Sequence, residues 1–314
     1  MKLTRRFVWI GILVVLGLFF LTPAAQAGWV NKTPMKCSRG YAGVAVVDNQ
    51  LFVAGGKRVV GVSPIVTSRL EVYYPWSNTW AYCANMPTKV CGAAAAGLNS
   101  KLYIAGGYTN FTGTKTNKLQ IYNPGTNTWT QGPVITGLNA GATGIASSAA
   151  AVLNGKIYVL DEDATNKKKL YIFDPTAAGG VGAWTTDTDL VSDFYPGCTM
   201  QAIDGKLYVV GGTLAPVDKV SVYDPAGGGT WTDVTPSTSM TTRYDLASAV
   251  VDNKLFAIGG WDGTNCSAKV EAYDKAALVN EWFTKPNLPK GGVPGPILSY
   301  DRRGLGAGAI NGTI

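Results

Sequence analysis

Histidine is absent from all 314 residues. That absence removes every His-ligated metal site, every Ser-His-Asp triad and every Cys-His dyad built within this chain. Charge is sparse too, with Asp, Glu, Lys and Arg at 15% of residues. The net charge is +7, and it falls to +4 (24 basic against 20 acidic side chains) once Lys2, Arg5 and Arg6 are set aside. Nucleic-acid binding calls for a concentrated basic stripe, so no nucleic-acid partner is expected from so mild an excess. The five cysteines, Cys37, Cys83, Cys91, Cys198 and Cys266, contain no C-x-x-C pair, which argues against a zinc cluster. No metal and no cofactor are expected.

Long apolar runs are nearly absent. The one example, residues 7–21, is 15 residues long and follows Lys2, Arg5 and Arg6. A bilayer span needs about 20 residues. The run is followed by Ala25-Gln26-Ala27, so residues 1–27 read as a secretory signal peptide cleaved after Ala27. The expected mature chain, 28–314, is one domain. It is secreted or periplasmic and monomeric, with no membrane span after cleavage.

What the chain does have is a repeat. A two-residue turn recurs as Asp48-Asn49, Asn99-Ser100, Asn154-Gly155, Asp204-Gly205, Asp252-Asn253 and Asn311-Gly312. These residue types tolerate the positive φ that tight hairpins demand. In five copies an apolar strand follows, starting at Leu51, Leu102, Ile157, Leu207 and Leu255. A Gly pair comes next in four of them, at 55-56, 106-107, 211-212 and 259-260. A third strand then ends in Tyr73, Tyr122, Phe173, Tyr223 or Tyr273, and a fourth opens with Trp80, Trp129, Trp184, Trp231 or Trp282. The first strands carry small residues, such as Ala93 to Ala96 and Ala149 to Ala151, as strands crowded around an axis should.

This ordered recurrence resembles the Kelch repeat over nearly all of residues 28–314. The resemblance implies an all-β fold, a Kelch-type β-propeller of four-stranded antiparallel blades around a channel. Five blades are complete in the sequence. Gly306 to Gly312 resembles the opening of a sixth, and Trp29 to Met35 repeats the spacing of Trp80 to Met86. The expectation is therefore a partial sixth blade closed by the N-terminal strand, in a six-bladed ring cut short at Ile314. A five-bladed ring with a stub is the alternative. Cys37 and Cys91 precede the first strands of successive repeats and are one candidate disulfide; an unpaired buried thiol is the alternative for each.

Kelch propellers commonly bind partners on the face shared by the second-to-third and fourth-to-first loops. Here the second-to-third loops hold Lys57 and Arg58, Tyr108 and Phe111, Glu162 and Asp163, and Trp261 and Asp262. Arg39, Arg243 and Arg302 each stand nine residues before a hairpin turn, in repeats that a closed six-bladed ring makes adjacent. Three guanidinium groups there would form an anion-binding sector. The structural alternative is an arginine bonded to loop carbonyls. In repeat three Asp161-Glu162-Asp163 replaces the Gly pair, offering either oxygen ligands for a cation or a solvated loop.

The functional expectation is a binding or scaffold protein whose loop face engages a protein or glycan ligand, anionic if the arginines are used. The alternative is an enzyme of the sialic-acid mutarotase type, another exported Kelch group, with Glu162 or Asp262 as acid/base guesses. The copper-oxidase chemistry of Kelch enzymes resembling galactose oxidase needs histidine and is excluded. No catalytic residue is assigned.

Overall fold

The computed structural model describes residues 28–60, 63–138, 142–146, 149–162, 168–190, 197–212, 219–275, 281–289 and 304–314. Two compact units divide at Val30 and Asn31, and the account below concerns the second.

Five four-stranded antiparallel sheets follow one another along the chain. Blade one is Gly43–Val47, Gln50–Ala54, Leu70–Tyr74 and Thr79–Cys83. Blade two is Ala94–Leu98, Lys101–Ala105, Leu119–Asn123 and Thr128–Gln131. Blade three is Ala149–Leu153, Lys156–Glu162, Lys168–Asp174 and Ala183–Leu190. Blade four is Thr199–Ile203, Lys206–Val210, Val220–Asp224 and Thr230–Val234. Blade five is Ala247–Val251, Lys254–Ile258, Val270–Asp274 and Glu281–Lys285. The strands of each sheet are hydrogen-bonded in chain order, which makes the chain a β-propeller. Blade one carries an extra hairpin, Lys57–Val60 with Ser63–Val66, between its second and third strands.

Local chemistry explains the register. Both residues of the first turn are left-handed, Asp48 at φ 47° and Asn49 at 59°, and the other hairpin turns repeat this. That geometry matches the twist of the flanking strands, so the turn sets the ladder Val47↔Gln50 through Gly43↔Ala54. At the far end of strand two the Gly pair bends the chain towards the next blade. Gly56 donates its N–H to Val90 O at 2.8 Å, and Gly107 to Ile145 O at 2.7 Å. Blade three lacks the pair, and its ladder runs on through Asp161↔Lys169 and Glu162↔Lys168.

The core lies between blades. Phe52, Leu70 and Val72 of blade one pack with Leu102, Ile104 and Tyr122 of blade two, all nearly inaccessible. In blades two, three and four the Trp residue latches the blade to the one before. Trp129 Nε1 donates to Ala84 O at 2.8 Å, Trp184 Nε1 to Pro133 O at 3.0 Å and Trp231 Nε1 to Thr188 O at 2.9 Å. Each acceptor stands four residues after the preceding Trp.

No sixth sheet exists among the described residues. Residues 28–35 lie in no strand, and 304–314 form only the Asn311-Gly312 turn with its Ile310↔Thr313 bridge. Among the described residues neither segment has a strand beside it with which to exchange ladder hydrogen bonds. Their contacts are nonetheless those of repeat positions. Trp80 Nε1 donates to Thr33 O at 2.8 Å, four residues after Trp29, as in the other latches. Ala307, Gly308 and Ala309 line the central channel with the innermost strands of all five blades.

Candidate functional site

Each blade's first strand starts, and its second strand ends, at the face that carries the second-to-third and fourth-to-first loops. On this face a girdle of backbone hydrogen bonds runs along the channel mouth through five of the six repeat positions, those among the described residues. Gly92 N–H donates to Tyr41 O, Tyr41 N–H to Gly304 O, Gly304 N–H to Asp245 O and Asp245 N–H to Gly197 O, at 2.6–2.9 Å. All five residues stand seven before a hairpin turn, and all are left-handed, with φ from 52° to 79°.

Glycine accepts that backbone without strain and aspartate tolerates it, whereas for tyrosine it is costly. Tyr41 and Asp245 are therefore the two side chains the girdle carries among its described members. The Tyr41 phenol donates to Asp245 Oδ2 at 2.9 Å beside a cavity of about 120 Å³. Lys57 Nζ lies 4.8 Å from the centre of the Tyr41 ring and 5.6 Å from that of Phe111. The sequence reading missed Tyr41 and Asp245. The signal was there, as Tyr41 and Asp245 at a repeat position that is glycine at 92, 197 and 304 and serine at 147.

The arginine sector is corrected by burial. Arg39 Nη1 donates to Glu71 Oε1 and to Cys37 O, and Nη2 donates to Val53 O at 2.9 Å. Arg243 Nη1 donates to Glu271 Oε2 and Nη2 to Ala257 O at 3.3 Å. Both arginine side chains are fully enclosed, so neither guanidinium reaches the channel mouth. Glu71 and Glu271 also accept backbone N–H groups, from Lys36 and Thr241, so the pairs tie the incoming loop to strand three. Arg302 lies outside the described residues.

The acidic cluster separates in a similar way. Asp161 is buried and its Oδ1 accepts from Ala146 N–H at 3.0 Å. Glu162 has its backbone in strand two of blade three, and Asp163 lies outside the described residues. No group of three metal-ligating side chains occurs among the described residues.

The remaining loop residues sit on different blades. Tyr108 pairs through its backbone with Cys91 and Lys115, and Trp261 with Tyr244 and Cys266. Asp262 caps its own loop, its Oδ1 accepting from Asn265 N–H at 2.7 Å and Thr264 N–H at 2.8 Å. Those N–H groups, Asn265 first, hold its carboxyl below the usual aspartate range, which suits a turn and not a general acid. Arg58 Nη1 donates to Cys37 Sγ at 3.2 Å. The candidate Cys37–Cys91 disulfide is not formed, and the alternative of unpaired buried thiols holds for both. Both are free thiols, because the first is turned to Arg58 and the second to Tyr108 O. Burial pushes the Cys91 thiol up, with Lys57 opposing.

Comparison with known proteins agrees with this architecture. The Kelch motif matches residues 38–87, 89–133, 195–238 and 242–289, more than half of the chain. It passes over blade three, where the Gly pair is missing. Beta-scruin of Limulus polyphemus is 24% identical over 249 residues, covering 79% of this chain and 22% of that protein. Kelch-like protein 35 of Mus musculus is 29% identical over 208 residues, covering 64% of this chain and 32% of that protein. The chain thus spans between a fifth and a third of the length of these curated relatives. A solved structure, "Structure of YjhT", superposes with a TM-score of 0.69 at 16% identity, covering 83% of this chain and 89% of that one. With its recurring hairpin, Gly pair and Trp latch, this chain belongs to the Kelch motif family.

Proposed function

We propose that the chain is an exported Kelch scaffold that grips a macromolecular partner, protein or glycan, with the loop face of blades one and two. One observation carries the reading. The Lys57–Val60/Ser63–Val66 hairpin holds Val59, Val60 and Ile65 at 61%, 48% and 36% exposure, and Phe111 from the neighbouring loop stands at 45%. Apolar surface in water costs roughly 25 cal/mol per Å². Val60 and Ile65 share one face of the hairpin and Val59 the other, and a projecting hairpin apolar on both faces beside Phe111 suits an interaction site. The acidic-sugar alternative loses support, because its two described arginines are already paired and enclosed.

Export rests on the basic start, apolar run and Ala25-Gln26-Ala27. We read Thr33 and residues 304–314 as the sixth sector of the ring, since they take up the latch and channel positions of the repeat.

The test is site-specific photocrosslinking in the native host. A crosslinker at Val60 should yield partner adducts, and one at the exposed Trp76 in the third-to-fourth turn of the opposite face should not. Adducts from Trp76 alone would sink the loop-face assignment. N-terminal sequencing of the exported protein should start at Gly28.

A further inference from the structure

The small net charge conceals a division. Residues 28–145 contain ten Lys and Arg against two acidic residues, Asp48 and Glu71, a net +8. Residues 146–314 contain fourteen against eighteen, a net −4. The fold then sorts the first group by face. Asp48 sits in a hairpin turn on the face opposite the loops, as does Lys101 beside the next turn. Lys32 adjoins Thr33, whose N–H bonds Asn78 in the third-to-fourth turn of that same opposite face. Glu71 is enclosed with Arg39. Lys36, Lys57, Arg58, Arg69, Lys89, Lys115 and Lys118 all lie at strand ends or loops of the loop face, and residues 28–145 supply no further carboxylate to it.

Several of these cations rest on aromatic rings. Lys36 and Arg69 lie 5.1 and 5.2 Å from the centre of the Tyr82 ring, and Lys57 bridges the rings of Tyr41 and Phe111. Such contacts hold a cation in place, and none of these three forms an ion pair with a carboxylate among the described residues. The four exposed apolar side chains stand among them.

We infer that the loop face of blades one and two docks an extended protein segment in which acidic and apolar side chains alternate. The inference rests on the loop-face reading above and names the partner's chemistry. The loop-face cations select carboxylates and steer their approach. Val59, Val60, Ile65 and Phe111 supply burial that a polyanionic sugar would leave unused. Pro64 in the outer strand of the hairpin lacks an N–H, so recognition is through side chains and not through strand addition.

The test is fluorescence anisotropy on the mature chain with a labelled peptide of alternating Glu and Leu. Poly-glutamate, heparin and phosphatidylserine vesicles serve as comparison probes. The Glu-Leu peptide should bind more tightly than poly-glutamate, and its affinity should fall steeply with salt. Reversal of Lys57→Glu with Arg58→Glu should weaken it at least about tenfold, whereas Lys101→Glu on the other face should leave it unchanged. Val59→Ser with Val60→Ser should weaken the Glu-Leu peptide about tenfold and spare poly-glutamate. Salt-independent binding by the unmutated chain overturns the inference without reference to any variant. So does tighter binding of heparin or vesicles that ignores the valine changes. A partner crosslinked from Val60 whose affinity is unmoved by the charge reversal would leave the loop-face reading standing and refute this one.

Discussion

Arg243 and Glu271 form an ion pair inside blade five, with side-chain exposures of 0% and 9%, and Arg39 and Glu71 repeat it in blade one. In blade two the equivalent residues are both neutral. Val90 stands for the arginine, and Gln120 takes the carboxylate's place, accepting Thr88 N–H at 2.8 Å. Charge thus enters or leaves this position as a pair. A buried charge stripped of its partner costs several kcal/mol, whereas the pair itself contributes little. Arg243→Met should therefore destabilise the chain by about 3–5 kcal/mol, and Arg243→Val with Glu271→Gln, the blade-two solution, by clearly less. Urea unfolding of both variants measures the difference, and equal losses would contradict the pairing.

The Trp latches can be tested singly. Trp129→Phe keeps the ring against Tyr122 and removes the Nε1–H bond to Ala84 O. The expected loss is about 1 kcal/mol. Trp76→Phe, at 68% exposure, should change thermal stability by less than about 0.5 kcal/mol. A comparable loss in both would deny the latch its role.

Backbone approach should separate two glycines. Gly106, at φ +67°, faces Ile145 O, which a Cβ would meet at 2.5 Å. Gly113, at φ +91°, has open space around it. Gly113→Ala should carry only the left-handed backbone cost, roughly 1–2 kcal/mol. Gly106→Ala should exceed it by at least about 1 kcal/mol, because the neighbouring blade must shift. Differential scanning calorimetry would read both.

Stability should fall in acid along a defined limb. The Thr176 hydroxyl, the Thr176 N–H and Lys156 lower the Asp174 carboxyl to about 2. Asp224 is lowered by Lys206 first, and Asp204 by Lys275 first. Groups depressed in the folded state contribute stability above their unfolded value, about 3.9, and lose it as pH falls through the folded value. The melting temperature should thus decline from near pH 4 towards pH 2, and Asp174→Asn should make that decline shallower. All three carboxylates are exposed enough that salt will screen the effect.

How much was legible in the sequence varied with the range of the interaction. The hairpin turns, the strands and the Trp positions are local chemistry repeated five times, and they could be placed before any coordinates. Arg39 and Arg243 were located correctly as equivalent positions, yet their direction could not be read. Glu71 lies 32 residues from Arg39, and only the register of strand three brings it underneath. Tyr41 and Asp245, 204 residues apart, meet only because the ring curves around. The +8 and −4 halves were present as counts, but their sorting by face needed the strand directions.

By itself, then, the sequence determined the repeat, the propeller and the exclusion of histidine chemistry, because turn propensity and apolar alternation act within a few residues. The tertiary structure alone decided which charges are spent and which remain available. Arg39 and Arg243 bury theirs against carboxylates, while Lys57 and Arg69 keep theirs over aromatic rings at the loop face. The reason is that charge compensation depends on distance through space, and neighbours in space are set by how one blade closes against the next.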